Sequence, residues 1–565
     1  MTPQPTLNKY IAAAIADNSG RQALTDIDGQ RFSYTYLQTA QAIARMHAAF
    51  ELAGIKRGEH IAICAHNSSR WGVAFLAIVT YGAVAVSILP DFAPADIVKL
   101  TVHSDARVLL ADDKVWRNIE PHVSGLDSLL GVIALDTDMP LALYEPGKST
   151  TVSKALAGVA RAVEKKYPAG INPSRLEYAE VQPDDVVMIN YTSGSTGSPK
   201  GVMLTERNIW SNVQYSIDGL QFLKPGDATV CMLPLAHMFG LTVDLLHPFV
   251  KGCNINFVTR TPSPAVILSA FAKVKPKLVV SVPLVVDKII RKKVFPMLET
   301  PKMKRLLSIP FVNSFVYRSI RKKLIDVFGG KLQEMIIGGA ALSQDVEQFL
   351  RKVKFPFTVG YGMTECGPLV GYAAWNEQQP GTCGHIVDRM EIRIDSPDPA
   401  NIPGTIEVKG DNVMKGYYKN PEATEAVIKS NGWMDTGDIG TLNAQGLISI
   451  KGRNKNMILG PSGQNIYPEE LEQMINNLEG MSESVVVDDD KGRLVALIHP
   501  DPEYVAQRQM NDEALEKLIE ENVRKVNQSL PAYSKIARHL TMKEEFLKTP
   551  KKSIRRYLYG PDGLK

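Results

Sequence analysis

Two short segments combine residue types that handle anions. At 191–201 the chain reads YTSGSTGSPKG, directly after the apolar run VVMIN. Gly194, Gly197 and Gly201 let backbone N–H groups approach an anion, Thr192, Ser193, Ser195 and Thr196 add hydroxyl donors, and Lys200 adds a mobile positive charge. That is the chemistry of a polyphosphate cradle. The spacing GxxxxGK[ST] occurs nowhere in the chain, which disfavours a P-loop NTPase. At 361–368, YGMTECGP sets an aromatic face (Tyr361), a hydroxyl (Thr364) and a carboxylate (Glu365) on a glycine-punctuated turn.

These segments need a scaffold that presents strand ends. Strand-like and helix-like runs alternate along most of the chain, which predicts α/β layers with parallel sheets. RVLLA, GVIALD, VVMIN, TVCML, INFV, KLVVSV and EMIIGG read as buried strands, with helical patterns such as SPAVILSAFAKV and SQDVEQFLRKV between them. From about residue 384 the texture changes to short alternating strands (EIRI, GTIEVKG, GLISIKG), a smaller β-rich subdomain. A last unit from about 454 joins short strands to an amphipathic helix, with Leu515, Leu518, Ile519, Val523, Val526 and Leu530 at helical spacing. The expected division is 1–453 and 454–565.

Composition narrows the function classes. With 64 basic and 60 acidic residues the chain is only +4, too balanced for a nucleic-acid wrapper. Five scattered cysteines form no CxxC pair, so no disulfide framework or zinc site is expected. The N-terminus reads as no secretory leader, and a cytoplasmic setting is expected. Residues 71–89 carry no charge, long enough to suggest a membrane span. Gly82 and Pro90 instead divide and close the run as helix, turn and central strand.

The loop at 191–201 satisfies [ST]SG[ST]TGxPKG at every fixed position, and further motifs follow in order, so the chain resembles the AMP-binding, acyl-adenylate-forming superfamily. The resemblance spans roughly 20–560 and implies a large N-terminal domain and a small mobile α+β lid, with ATP, Mg²⁺ and CoA as partners of the reaction. It implies that residues 192–197 and Lys200 cradle the phosphates, that Tyr361 stacks on adenine, that Thr364 contacts the α-phosphate, and that Glu365, with Thr196, holds Mg²⁺. In GGAALS, Gly338, Gly339 and Ala340 would line the adenine and acyl pocket, joined by Gly362 and by His237 of LPLAHMFG as a wall. Asp438 of GWMDTGDIG and Arg453 of IKGRNKN resemble the pair that grips the ribose hydroxyls. Lys455 falls at the family hinge.

Two departures stand out. The family usually closes on PKTxxGK, whose final lysine stabilises the α-phosphate transition state, whereas this chain reads FLKTPKKSIRR, with Ser553 at that position. A serine carries no charge, so Lys552 is expected to take the role through a one-residue shift, with Lys551 second. Thr405 stands where the family often has an acid.

Residues 287–326 hold 11 Lys/Arg against 3 Asp/Glu. With Phe295, Met297, Leu298, Phe311, Phe315 and Val316, this segment suits either a solvated basic helix pair or peripheral contact with anionic lipid. Long-chain acyl-CoA synthetases resemble it in carrying an insertion here. The expected reaction is therefore activation of a medium-to-long-chain fatty acid to acyl-AMP, then thioester formation with CoA. Transfer to a pantetheine carrier, or nucleotide binding without catalysis, are the alternatives.

Overall fold

The computed structural model describes residues 6–28, 32–137, 141–147, 149–192, 199–309, 312–460, 464–489, 492–549 and 553–560. An eight-stranded sheet forms the first layer, in the order Gly416–Tyr417, Lys200–Thr205, Val186–Thr192, Val84–Ser87, His60–Cys64, Ala106–Ala111, Gly131–Ala134, Ala142–Tyr144. Its five inner strands are parallel and its outer pairs antiparallel. A second sheet runs Ala228–Cys231, Asn254–Phe257, Gln22–Asp26, Ser33–Thr35, and a third, fully parallel, runs Leu278–Ser281, Glu334–Ile337, Phe357–Val359. The apolar runs expected to be buried strands all supply one. Each is covered on both faces, and near-continuous Val/Ile/Leu burial is the pattern such strands require.

The uncharged run at 71–89 shows how local signals resolve an ambiguity. Ser68 caps the helix Ser69–Tyr81 by accepting from Trp71 N–H, Gly82 ends it in the left-handed region at φ 84°, and Val84–Ser87 follows as a fully buried strand. Trp71 and Phe75 stack in the core between the layers. Among the described residues no helix is long and apolar enough to cross a membrane.

The β-rich subdomain is the antiparallel sheet Met390–Asp395, Gly404–Gly410, Met434–Leu442, Ile448–Arg453. Beyond it, Met481–Asp488, Leu494–Pro500 and Ile536–Thr541 form a sheet packed by the helices Pro468–Asn476 and Asp512–Ser529. Ile519, Val523 and Val526 are buried in that core as the helical spacing requires, with Leu515, Leu518 and Leu530 packed at its margin. This smaller unit touches the larger one where Gln473 Nε2 donates to the Leu342 carbonyl at 2.8 Å and Arg291 Nη2 to Asn477 Oδ1 at 3.4 Å. The basic segment is more broken than a helix pair. Pro283–Ile289 runs through a π-turn into Phe295–Leu298, followed by Pro301–Ser308 and Val312–Val327.

The N-terminal helix Leu7–Asp17 is tied down by a buried acid. Glu206 accepts from Leu7 N–H, and burial pushes its carboxyl up to about 7 against the lowering effect of that donor. An acid whose folded pKa exceeds its ordinary value of 4.5 stabilises the fold at low pH and loses that contribution as pH rises toward 7. Glu206→Gln keeps an acceptor and removes the ionisation. It is expected to raise the thermal transition at pH 8 by the equivalent of roughly 2–3 kcal/mol while changing it little at pH 5. Equal shifts at both pH values would contradict this account.

Candidate functional site

Open α/β sheets place ligands at the carboxyl ends of their parallel strands, and Val186–Thr192 ends where the large sheet turns from parallel to antiparallel. Val186–Thr192 and Lys200–Thr205 pair antiparallel with Thr192 opposite Lys200, and Thr192 Oγ1 reaches the Lys200 carbonyl at 3.5 Å. The two ends of the 191–201 segment are therefore set by the sheet. Ser193, Gly194, Ser195, Thr196 and Gly197 lie outside the described residues. Lys200 Nζ stands 4.8 Å from the Tyr417 ring centre. Buried Asn190, on the strand Val186–Thr192, donates to the Ala236 carbonyl at 2.7 Å and brings the LPLAH loop alongside.

The 361–368 turn is held from three sides. Asn212 donates to the Cys366 carbonyl at 3.0 Å and accepts from Leu369 N–H at 2.8 Å, Thr242 Oγ1 donates to the Gly367 carbonyl at 3.3 Å, and Met414 N–H donates to the Glu365 carbonyl at 2.8 Å. Gly362 is required for steric reasons, since a Cβ there would lie 2.3 Å from the Pro368 carbonyl oxygen. Thr364 and Glu365 sit on the short helical turn that follows, half-buried. Glu365 Oε1 accepts from Tyr417 Oη at 2.9 Å.

Tyr361, Asp438 and Arg453 come together although they lie far apart in sequence. Tyr361 Oη donates to Asp438 Oδ2 at 2.7 Å, and Arg453 Nε lies 2.9 Å from Asp438 Oδ1. Asp438 and Arg453 are direct cross-strand partners, so sheet register sets their pairing. Burial pushes the Asp438 carboxyl up, opposed by the Arg453 charge, and Asp438 in turn raises Arg453. Lys455, on the turn that leaves this sheet, is exposed, and partial desolvation and the Arg453 charge lower its pKa. Asn456 beside it donates to Glu469 of the helix Pro468–Asn476.

Gly338 is buried at the end of Glu334–Ile337, and a Cβ there would meet the Phe239 ring at 3.0 Å. Gly339, at φ 88°, and Ala340 are exposed, with open space where a Gly339 side chain would stand. His237 is half-buried one turn before a π-helix, Gly240–Leu246. Such an insertion is frequent beside functional sites. Lys551 and Lys552 lie outside the described residues. Thr549 N–H donates to the Ser553 carbonyl at 2.8 Å and Lys548 bridges Ile554, so the arms flanking them form a hairpin. Its arms are anchored by Lys548 on Glu483 at 2.9 Å and Arg556 on buried Glu472 at 2.6 Å.

Glu365 and Lys200 both meet Tyr417, and Thr364 precedes Glu365 on the same turn; a carboxylate, a hydroxyl and an ammonium group are the chemistry that a nucleotide polyphosphate with a hard divalent cation calls for. Sequence reasoning missed Asn190, Asn212, Phe239 and Tyr417. The segment KGYYKN at 415–420 carries the signal for Tyr417, because its glycine and paired tyrosines interrupt an otherwise polar stretch. Gly362→Ala is expected to weaken AMP binding more than ten-fold by calorimetry and to lower the thermal transition by the equivalent of about 1–3 kcal/mol, because the added Cβ must push the Pro368 backbone aside. Unchanged affinity would show that the turn yields without cost to the site.

Known proteins resemble this chain in sequence and in fold. The AMP-binding enzyme family matches residues 11–418, and the AMP-binding enzyme C-terminal domain matches 455–559. 4-Coumarate–CoA ligase 1 of Solanum tuberosum is 28% identical over 498 residues, covering 85% of this chain and 81% of the relative. 4-Coumarate–CoA ligase 5 of Oryza sativa subsp. japonica is 29% identical over 508 residues, 86% of this chain and 84% of the relative. Among solved structures, an anthranilate CoA ligase in complex with anthranoyl-AMP superposes with a TM-score of 0.78 at 19% identity, over 98% of this chain and 96% of that one. A benzoate CoA ligase from Burkholderia xenovorans gives 0.75 at 20%, over 98% and 99%. With both units matched in order, and the first match alone covering well over half its length, the chain belongs to the AMP-binding enzyme family of ATP-dependent, adenylate-forming enzymes.

Proposed function

We propose that the chain is an AMP-forming acid–CoA ligase whose acid carries a flat, apolar, aryl-type body. A carboxylate cannot acylate a thiol directly, because its charge repels the nucleophile and its oxygen is a poor leaving group. Attack of the carboxylate oxygen on the α-phosphorus of ATP forms acyl-AMP and breaks the bond to pyrophosphate. The CoA sulfur then attacks the acyl carbon, its proton passes to solvent, and AMP leaves. Both partners of the first step are anions, so cationic groups must offset their repulsion.

In this reading Lys200 and the 192–197 loop hold the phosphates, Thr364 meets the α-phosphate, Tyr361 faces the adenine, and Asp438 with Arg453 takes the ribose. Glu365 and Thr196 hold Mg²⁺, which when bound neutralises phosphate charge. Lys455 marks the hinge between units at 1–453 and 454–565. Lys552, with Lys551 second, supplies the charge that Ser553 lacks, and the anchored hairpin arms support that assignment. Lys552→Ala is expected to lower pyrophosphate release at least a hundred-fold while thioester formation from synthetic acyl-AMP persists. Adenylation at the native rate would remove Lys552 from the chemistry.

The observation that carries the choice of acid is the Phe239 ring lying on Gly338. A rigid aromatic face against a glycine makes a slot wall suited to a planar group, and the names of the aryl-acid ligases above agree. A second reading, a medium-to-long-chain fatty acid drawn from an anionic membrane, is favoured by the basic helix Val312–Val327, where Phe315 is 69% exposed, with Ile309 nearby at 42%.

A mass-resolved assay with ATP, Mg²⁺ and acids from acetate to stearate plus benzoate and 4-coumarate, with and without CoA, separates the two. Aryl acids are expected to give AMP and acyl-CoA together, and Phe239→Ala to cost them about ten-fold in kcat/KM, on the order of 1.4 kcal/mol. A maximum at long chains would establish the second reading instead. Acyl-AMP accumulating despite CoA would point to a carrier as acceptor.

A further inference from the structure

Tyr417 belongs to none of the motifs that first drew attention, yet it touches two of them. It lies in the two-residue strand Gly416–Tyr417 at the edge of the large sheet, paired with Val202 of the strand that begins at Lys200. The placement is fixed from several directions. Tyr418 N–H donates to the Gly201 carbonyl at 2.7 Å, Lys415 N–H to the Met203 carbonyl at 3.0 Å, and Tyr417 N–H to Thr424 Oγ1 at 2.9 Å. Gly416, at φ 145°, has no room for a side chain, because a Cβ would lie 2.8 Å from Thr424 Cγ2.

The Tyr417 side chain is 7% exposed. Its hydroxyl donates to Glu365 Oε1 at 2.9 Å, and its ring carries Lys200 Nζ 4.8 Å from its centre. Met414, three residues earlier, holds the Glu365 backbone. One short segment therefore fixes Glu365 by main chain and side chain together.

A lysine and a glutamate this close to a common group would ordinarily pair directly. No direct ion pair joins Lys200 to Glu365 here; the aromatic ring takes the cation and the hydroxyl takes the carboxylate. We infer that Tyr417 is a positioning residue that keeps Lys200 and Glu365 from neutralising each other, so that the ammonium stays available to a phosphate and the carboxylate to the divalent cation bound with it. The inference rests on the reading of Glu365 as a cation-holding residue.

The test compares wild type, Tyr417→Phe, Tyr417→Leu and Glu365→Gln, each checked for an unchanged thermal transition. Binding of Mn²⁺ with a non-hydrolysable ATP analogue is measured by electron paramagnetic resonance, beside the Mg²⁺ concentration giving half-maximal pyrophosphate release. Tyr417→Phe, which keeps the ring and loses the hydroxyl, is expected to weaken Mn²⁺ binding and raise the Mg²⁺ requirement five- to twenty-fold, with KM for the acid unchanged. Tyr417→Leu is expected to raise KM for ATP as well, because the surface under Lys200 is lost. If Glu365→Gln weakens Mn²⁺ binding while both Tyr417 variants match wild type, the positioning role is wrong. If Glu365→Gln itself binds Mn²⁺ like wild type, the assignment of Glu365 fails and the inference falls with it.

Discussion

Asp438 is a carboxylate buried where three parts of the molecule meet, and the geometry of the site depends on how it is satisfied. Removing an ionised carboxylate from water is costly unless donors and a counter-charge replace the solvent. Tyr361, at the end of the α/β layers, supplies a hydroxyl to one oxygen, and Arg453, at the last turn before the small unit, supplies a guanidinium to the other. The β-rich sheet holds Asp438 opposite Arg453 in register. The aromatic turn, the β-rich subdomain and the chain that leads into the small unit are thus tied to one buried charge. Displacing any of them leaves that charge short of a partner.

A similar economy governs the other groups. The strands Val186–Thr192 and Lys200–Thr205 lie at the point where the large sheet turns from parallel to antiparallel, so Lys200 stands at a strand start and Thr192 at a strand end, side by side. The helix carrying Asn212 uses one amide to hold both sides of the 361–368 turn. Small residues do the remaining work by leaving space: Gly338 admits the Phe239 ring, and Gly362 lets the Pro368 carbonyl approach. These contacts act through backbone shape and burial more than through charge.

The small unit is built to carry a hairpin. Glu472 on its first helix is buried, raised to about 7 by desolvation against the pull of Arg556, and accepts from both Arg556 and Val486 N–H. The neighbouring Glu469 faces Asn456 beside Lys455, and Gln473 reaches the Leu342 carbonyl of the large unit. Successive polar residues on one helix therefore connect the Asn454–Asn456 turn, the arm that carries Arg556 and the GGAAL loop. The Gln473 contact crosses between the units, as does the pair of Lys451 with Glu470 on the same helix, whereas the Glu469 and Glu472 contacts lie within the small unit.

Much of this was legible in the residues. Local signals determined the buried strands, the helix–Gly82–strand division of 71–89 and, through its motifs, the family, because apolar periodicity, caps and glycine turns act over a few residues and survive any tertiary context. The acid and the lipid contact were not determined in this way; both were inferred from the charge of 287–326, and charge on a surface helix does not describe a pocket. Tertiary structure alone decided that Tyr361 meets Asp438, that Phe239 rests on Gly338, and that Tyr417 stands between Lys200 and Glu365. Each of these contacts joins segments separated by at least fifty residues. Their distance is set by how sheets stack and register, a property of the whole chain that no local run of residues encodes.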